Sequence, residues 1–212
     1  MSAPVVTLSA TYGAFGSLIG PDVAERLRVP FLDRAIPAEV AERLAVSLDE
    51  AESHDERAER GLERALATFA AVPMLLGAPP ATGTAEEGRT FQEETERVIH
   101  AHVRDGGVIL GRAGALVLAE HPTALHVRLD GPARARVAQI ARLANIDERE
   151  AERRRHDADR AREAYVKHFY RADPADPRLY HLVLDSTALD RDTCVELIAL
   201  AARARQAGSD AP

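Results

Sequence analysis

Lysine, cysteine and tryptophan are nearly or wholly missing from this chain of 212 residues. Lys167 is the only lysine, so arginine must supply almost every cationic contact to a ligand. Its planar guanidinium group suits bidentate binding of phosphate. Cys194 is the only cysteine, which excludes a disulfide or a cysteine-ligated zinc site within the chain. It shares an apolar helical face with Leu197 and Ile198, which predicts a small core residue.

Long apolar runs and an excess of positive charge are also absent. No window approaches the ~18 apolar residues of a transmembrane helix, and no basic segment with a long apolar stretch opens the chain. We therefore expect a cytoplasmic protein with no membrane partner. The net charge of -7 argues against nucleic acid as a partner. The eight histidines show no zinc-ligand spacing, so no metal site is predicted among them.

Short apolar runs alternate with helical patterns along the chain. This alternation predicts an α/β fold with a parallel sheet of about five strands and helices on both faces. We expect a single domain over residues 1–205, followed by a frayed tail at 206–212. Within it, residues 37–105 form a helical insert whose segment 77–90 is a mobile loop, and residues 145–172 form a helical lid.

Glycine, arginine or aspartate follows four of the predicted strands. A parallel sheet binds ligands at the carboxyl ends of its strands, so these side chains indicate an anion site. The alternative is that strand ends simply carry turn residues. The candidates are Gly13 to Ser17, Asp33, Gly111-Arg112 and Asp130.

The segment SATYGAFGSLIGP at residues 9–21 joins a strand to a helix as phosphate-binding loops do. A Walker A loop is G-x-x-x-x-G-K-[ST], in which lysine and a hydroxyl group contact phosphate and Mg²⁺. Here Thr11 replaces the first glycine, Ser17 replaces the lysine and Leu18 replaces the hydroxyl residue. Phe15 also stands where a glycine is usual, and its side chain restricts positive φ and crowds a phosphate.

Pro21 bears on where the first helix begins. Proline inside a helix lacks the N–H donor and clashes with the preceding turn, which costs ~3 kcal/mol. We therefore expect the helix to begin near Gly20-Pro21, with Pro21 at its first position. The segment Gly13 to Gly20 would then be reshaped, and the helix end would lie away from the loop.

The stretch RRRHDADRAR at residues 153–162 places charges of both signs on one helix. Arg155, Asp159 and Arg162 are spaced i, i+4 and i+7 and share a face. Two guanidinium groups around one carboxylate would meet a phosphate or a base. The alternative is a solvated, mixed-charge helix face.

Several segments together resemble the cytidylate kinase-like proteins of the P-loop nucleoside monophosphate kinase group, over about residues 4–200. The family's loop typically runs S-R-x-Y-G-S-G-G-R-x-I-G, and D-x-x-R-x-x-Y and Y-D-x-x-x-x-T are typical further along. The matching segments are VVTLSATYGAFGSLIG, VPFLDRAI, DGGVILGRAGALVL, HVRLDGPARARV, HDADRAREAYVKHFY and DPRLYHLVLDST. The resemblance implies a three-layer P-loop nucleoside triphosphate hydrolase-like fold.

The resemblance also implies transfer of the ATP γ-phosphoryl group to CMP or a similar monophosphate. On the acceptor side, Arg112 would grip the phosphate, and Arg155, Asp159 and Arg162 would contact base and phosphate or close over the site. Asp33 would hold the acceptor ribose or Mg²⁺.

On the donor side, the resemblance implies that Arg136 approaches the ATP phosphates from the lid. Gly13, Gly16 and Ser17 would form the degenerate phosphate loop, and Mg²⁺ would accompany ATP if the protein is active. The acceptor side matches the family better than the donor side. Three readings therefore stay open: a nucleoside monophosphate kinase, a non-catalytic protein that binds a nucleotide or a protein partner, and a structural protein.

Overall fold

The computed structural model describes residues 3–33 and 85–209, and elements are numbered within these two ranges. The strands are β1 (Val5–Ala10), β2 (Phe31–Asp33), β3 (Gly107–Leu110), β4 (Leu125–Asp130) and β5 (Leu182–Asp185). The helices are α1 (Gly16–Leu27), α2 (Ala85–His102), α3 (Gly114–Val117), α4 (Ala133–Ala144), α5 (Glu148–Tyr170) and α6 (Arg191–Ser209). A 3₁₀ turn, Pro177–Leu179, precedes β5.

The five strands form one parallel sheet in the order β2-β3-β1-β4-β5. The central strand β1 pairs Val5 with Gly107 of β3 and Val6 with Leu125 of β4. Because all strands run in one direction, their carboxyl ends meet at a single edge of the sheet. The parallel five-stranded sheet predicted from the alternating pattern is confirmed.

Helices cover both faces of the sheet, as the sequence predicts. Alternate strand residues such as Val6, Leu8 and Val127 point to one face and pack with α1 and α6. The other face carries Val5 and Ile109, which pack with the end of α2 and with the chain after α3. The result is a three-layer α/β arrangement.

Helix α1 begins at Gly16, so the prediction that it begins near Gly20-Pro21 is wrong. Pro21 lies inside the helix. Gly16 and Gly20 are buried against the sheet, where a Cβ on Gly20 would lie 2.6 Å from the Phe31 ring. Ser17 and Pro21 face solvent, so water can bond the Ser17 carbonyl that proline leaves without an N–H partner. Close packing on the sheet therefore outweighs the proline penalty.

Helix α5 begins directly after Asp147, within the predicted lid region. The Asp147 carboxylate caps it by accepting a hydrogen bond from the Glu150 N–H at 2.9 Å. Two other boundaries differ from the prediction. Residues 85–90 belong to α2 and not to the predicted loop 77–90, and residues 206–209 extend α6 into the predicted frayed tail.

The rest of the predicted insert, residues 37–84, and the last residues, 210–212, lie outside the described ranges. In the two described ranges, no helix is both long enough and apolar enough to cross a membrane.

Candidate functional site

A cleft of about 1090 Å³ opens at the carboxyl ends of β1, β3 and β4, under α4 and α5. Most of the residues predicted to form the site line it: Gly13, Gly16, Ser17, Arg112, Arg136, Asp159 and Arg162. Arg155 and Asp33 are not among the described residues of its wall. Asp33 ends the edge strand β2, beside Leu110.

The loop between β1 and α1 leads directly into the helix. Phe15 adopts a left-handed conformation, with φ 57°, and its carbonyl accepts hydrogen bonds from the N–H groups of Leu18 and Ile19. No side chain of the described residues caps α1. Because Gly16 and Ser17 line the cleft, the positive end of the helix dipole faces it.

The backbone N–H and carbonyl of Tyr12 in this loop are both hydrogen-bonded to side chains of the helices above it. Its N–H donates to Asp159 of α5 at 2.8 Å, and its carbonyl accepts from Nη1 of Arg136 in α4 at 2.9 Å. Arg136 also donates to Asp159 at 2.7 Å and to the Gly131 carbonyl at 3.0 Å. Tyr12, Arg136 and Asp159 thus form a closed set of contacts, which we call the loop clamp.

Gly13 lets α4 rest directly on the loop. It has φ 88°, and a Cβ there would lie 2.8 Å from the Arg136 carbonyl oxygen and 2.9 Å from the Ile140 side chain. Glycine is therefore required here by packing between the loop and α4, as well as by its backbone conformation.

The two arginines that flank Asp159 on α5 have different surroundings. Arg155 donates to Glu152 at 2.6 Å and to Asp159 at 3.4 Å, and it is not among the described residues of the cleft wall. Arg162 lines the cleft, with its guanidinium carbon 5.7 Å from the centre of the Tyr12 ring. Its Nη1 is buried with no hydrogen bond to the described residues, and its ion pair with Asp159 is long, at 3.9 Å. Burial lowers the pKa of Arg162.

Arg112 lies in a turn of unusual backbone conformation after β3. Gly111, Arg112 and Ala113 have φ of 80°, 54° and 54°, and left-handed conformations of non-glycine residues are concentrated at functional sites. The guanidinium carbon of Arg112 lies 5.9 Å from the centre of the Tyr165 ring of α5. Tyr165 is 2% exposed, and burial raises its pKa. This contact orders Arg112 next to the lid helix.

Asp130 ties the start of the loop to the end of β4. It accepts hydrogen bonds from Thr11 Oγ1 at 2.9 Å, from the Gly131 N–H at 2.9 Å and from Arg128 at 2.8 Å. Burial acts to raise the pKa of Asp130, but these three donors outweigh it and the pKa lies below its ordinary value. Asp130 is therefore a fully engaged carboxylate of the cleft wall.

A family comparison agrees with this geometry. The model of the "Cytidylate kinase-like family" matches residues 5–188, most of the chain. The chain belongs to the cytidylate kinase-like family. Its sheet with flanking helices is the P-loop kinase type of α/β fold that the resemblance implied, and the protein is kinase-like in structure.

Individual relatives of this cytidylate kinase-like protein are distant. A cytidylate kinase from Methanopyrus kandleri is 30% identical over 123 residues, which span 54% of this chain and 64% of that protein. A uronate isomerase from Corynebacterium glutamicum is 30% identical over 118 residues, which span 56% of this chain and 23% of that protein. The chain thus matches less than two thirds of the length of either protein.

Among solved structures, an uncharacterized protein from Eubacterium ventriosum superposes with a TM-score of 0.61. The two chains are 16% identical, and the superposition covers 92% of this chain and 95% of the other. At this identity the likeness shows the fold and nothing of the activity.

The described loop of this cytidylate kinase-like protein does not fit Mg²⁺ as a P-loop kinase binds it. Leu18, in the place of the hydroxyl ligand, has no oxygen in its side chain. Asp130, the nearest strand-end carboxylate to the loop, is engaged by its three donors. Within the described ranges, no group of three or more histidines, cysteines or acidic residues could hold a metal ion.

Most of the site residues predicted from the sequence line the cleft, but their partners within it were not predicted. Tyr12 and Tyr165 stand at the tyrosine positions of the S-R-x-Y-G-S-G-G-R-x-I-G and D-x-x-R-x-x-Y patterns, but their contacts carry no sequence signal, because one acts through its backbone and the other is a buried ring. Arg128 lies two residues before Asp130 on one face of β4, and this spacing is the signal of the pair. The catalytic roles of Arg136, Arg155, Asp159 and Arg162 stay predictions.

Proposed function

We propose that this protein binds a nucleoside monophosphate of the CMP type in the cleft and does not turn ATP over at the rate of a kinase. One contrast carries the proposal. Arg112 and Arg162 line the cleft beside aromatic rings, whereas Arg136 and Asp159 are engaged with the loop itself. Of the residues expected on the acceptor side, Arg112 and Arg162 thus remain to meet a ligand in the cleft, whereas Arg136, expected on the donor side, holds the loop.

The acceptor side supplies two guanidinium groups in fixed surroundings. Arg112 lies against the Tyr165 ring and Arg162 against the Tyr12 ring, so both lose little conformational freedom when a ligand binds. The buried Nη1 of Arg162 makes no hydrogen bond to the described residues, and a phosphate oxygen would satisfy it. A monophosphate dianion suits two such groups.

The donor side has the shape of a phosphate loop without its cationic side chain. Ser17 stands in the lysine position and Leu18 in the position of the Mg²⁺ ligand. Each contact to a transferring phosphoryl group is commonly worth a few kcal/mol. Their joint loss would lower the rate of ATP turnover by orders of magnitude.

Phosphoryl transfer from ATP to CMP is the second candidate function. It is favoured by the start of α1 at Gly16, which directs an uncapped helix end into the cleft. The name of the Methanopyrus kandleri relative, a cytidylate kinase, points the same way.

Calorimetric titration with CMP, UMP, AMP, GMP and ATP separates the two candidates when it is combined with an assay of ADP formation. We expect micromolar to millimolar binding of a monophosphate, and no ADP formation with any acceptor. Turnover at kinase rates would establish the second candidate. Absence of binding to every nucleotide would contradict both and leave a structural role of the fold.

Arg162→Gln tests the acceptor site directly. Removing a charged hydrogen-bond donor costs about 1.5–3 kcal/mol, so we expect roughly 10- to 100-fold weaker binding of the monophosphate. Arg149→Gln is the matched control, because Arg149 lies on the same helix, is exposed and is not part of the cleft wall. Equal affinities of the two variants would place the phosphate elsewhere.

A further inference from the structure

The solvent side of α6 carries a line of exposed apolar side chains. Leu197 and Leu200 lie one turn apart on this helix and are 39% and 66% exposed. Ala204 and Ala207 continue the line at exposed positions. The spacing i, i+3, i+7 and i+10 is that of one helix face. The opposite face of α6 is buried in the core against the sheet, so the helix is apolar on two sides.

We propose that this outer face of α6 binds the same face of a second copy of the chain, with the two helices antiparallel. Neighbouring large apolar side chains on a helix surface are typical of an interface. In a pair related by a two-fold axis, each contact occurs twice, so Leu197 of either copy packs on Leu200 of the other. The inference does not rest on the proposed function, because no residue of α6 lines the cleft.

The charges beside the apolar line favour a second copy over another kind of partner. Glu196 and Arg203 lie seven residues apart on one side of the line, one before the two leucines and the other after them. Antiparallel pairing brings Glu196 of each copy opposite Arg203 of the other. Two identical ion pairs therefore flank the apolar contact, as charged residues flank the seam of paired helices.

Arg203 has no carboxylate partner among the described residues. Its Nη2 donates to the Arg26 carbonyl of α1 at 3.0 Å. Glu196 accepts from the Arg26 side chain at 2.6 Å, and this pair is open to solvent, with side chains 44% and 59% exposed. A second guanidinium group can therefore reach Glu196, and Arg203 of another copy would supply it.

The size of the face indicates a weak dimer. A standard specific interface buries roughly 800 Å² per partner, and one face of the 19-residue helix α6 offers less. The small side chains of Ala204 and Ala207 let two helices approach closely along the rest of the line. We therefore expect a dissociation constant of about 10–100 µM.

Sedimentation velocity of the whole chain over about 5–500 µM measures this association. We expect the wild type to shift from monomer to dimer across the range. Leu200→Glu places a charge at the centre of the contact and should weaken the dimer at least about tenfold. Leu143→Glu is the matched control, because Leu143 is 63% exposed on α4 and should leave the association unchanged. Circular dichroism checks that both variants fold.

Single charge reversals test the antiparallel arrangement. Glu196→Arg and Arg203→Glu each place like charges opposite each other twice, so each variant alone should associate about tenfold more weakly than the wild type. An equimolar mixture of E196R and R203E restores both ion pairs between unlike chains. We expect this mixture to form dimers within about threefold of the wild-type affinity.

Three results would overturn the inference. A wild type that stays monomeric throughout the range would leave the face to another protein or to solvent. A dimer that L200E does not weaken, or that L143E weakens equally, would place the interface elsewhere. A mixture that associates no better than the separate charge variants would exclude the antiparallel pairing. No nucleotide enters these measurements, so their outcome is independent of the test of the proposed function.

Discussion

At the scale of single residues, Arg136 joins three parts of the chain. Its side chain is 8% exposed, and its guanidinium group contacts the loop, the turn after β4 and the lid carboxylate. Removing one member of a buried ion pair leaves the other charge without compensation, which costs more than the pair itself contributes. The family resemblance implies a role toward ATP phosphates, whereas the contacts give Arg136 a role in holding the loop.

Arg136→Gln is expected to lower the free energy of unfolding by about 3 kcal/mol, because it leaves Asp159 and two carbonyls short of donors. Urea denaturation followed by circular dichroism measures this. Arg134→Gln, an exposed arginine of the same helix, should change stability by less than about 0.5 kcal/mol. A similar small effect of both substitutions would contradict the buried role of Arg136.

At the scale of elements, α1 shows how packing decides where a helix begins. Its buried residues Gly16, Ile19, Gly20 and Val23 form one face against the sheet. Starting the helix later would withdraw Gly16 and Ile19 from that contact. Pro21 therefore remains inside α1, on the solvent side, where it lowers the stability of the helix locally.

Pro21→Ala is expected to raise the free energy of unfolding by about 2 kcal/mol, since alanine restores an N–H donor within the helix and the gain exceeds the added freedom of the unfolded chain. Pro30→Ala is the control, because Pro30 lies between α1 and β2, outside any helix. Thermal or urea unfolding of both variants gives the comparison. A Pro21→Ala protein no more stable than the control would contradict the helical placement of Pro21.

The strands and most helices could be predicted from the sequence, because apolar runs and helical periodicity are local signals. The strand-end positions of Arg112 and Asp130 followed from the same patterns. The clamp could not be predicted, since it joins the backbone of Tyr12 to a side chain 147 positions away. The predicted start of α1 was wrong for a related reason. The proline penalty can be read from the local sequence, whereas the contact of Gly20 with Phe31 that outweighs it is tertiary.

At the scale of the whole molecule, a buried histidine of the sheet, His126, lies beside two others just outside it, His121 and His181. His126 of β4 is 5% exposed, bonds Thr7 Oγ1 through Nδ1 at 2.9 Å and stacks on His181 at 4.9 Å. Burial lowers the pKa of His126 to about 4, and the positive charges of His181, Arg205 and His121 act in the same direction. The folded protein thus holds this imidazole neutral.

Stability is expected to fall as the pH decreases from about 6.5 to about 4. In that window the unfolded chain binds a proton at His126, whose ordinary pKa is 6.5, and the folded protein does not. Urea midpoints at pH 7, 6 and 5 measure the effect. His126→Asn keeps a polar partner for Thr7 and should show a shallower pH dependence than the wild type. Identical slopes would exclude His126 as its source.

The strand order also decides when this protein can fold during its synthesis. The central strand β1 is made first, yet both of its neighbours, β3 and β4, leave the ribosome roughly a hundred residues later. Until then a nascent chain carries an apolar strand with two open edges, a form that invites aggregation. The demand for chaperones is therefore expected to end when β4 has emerged.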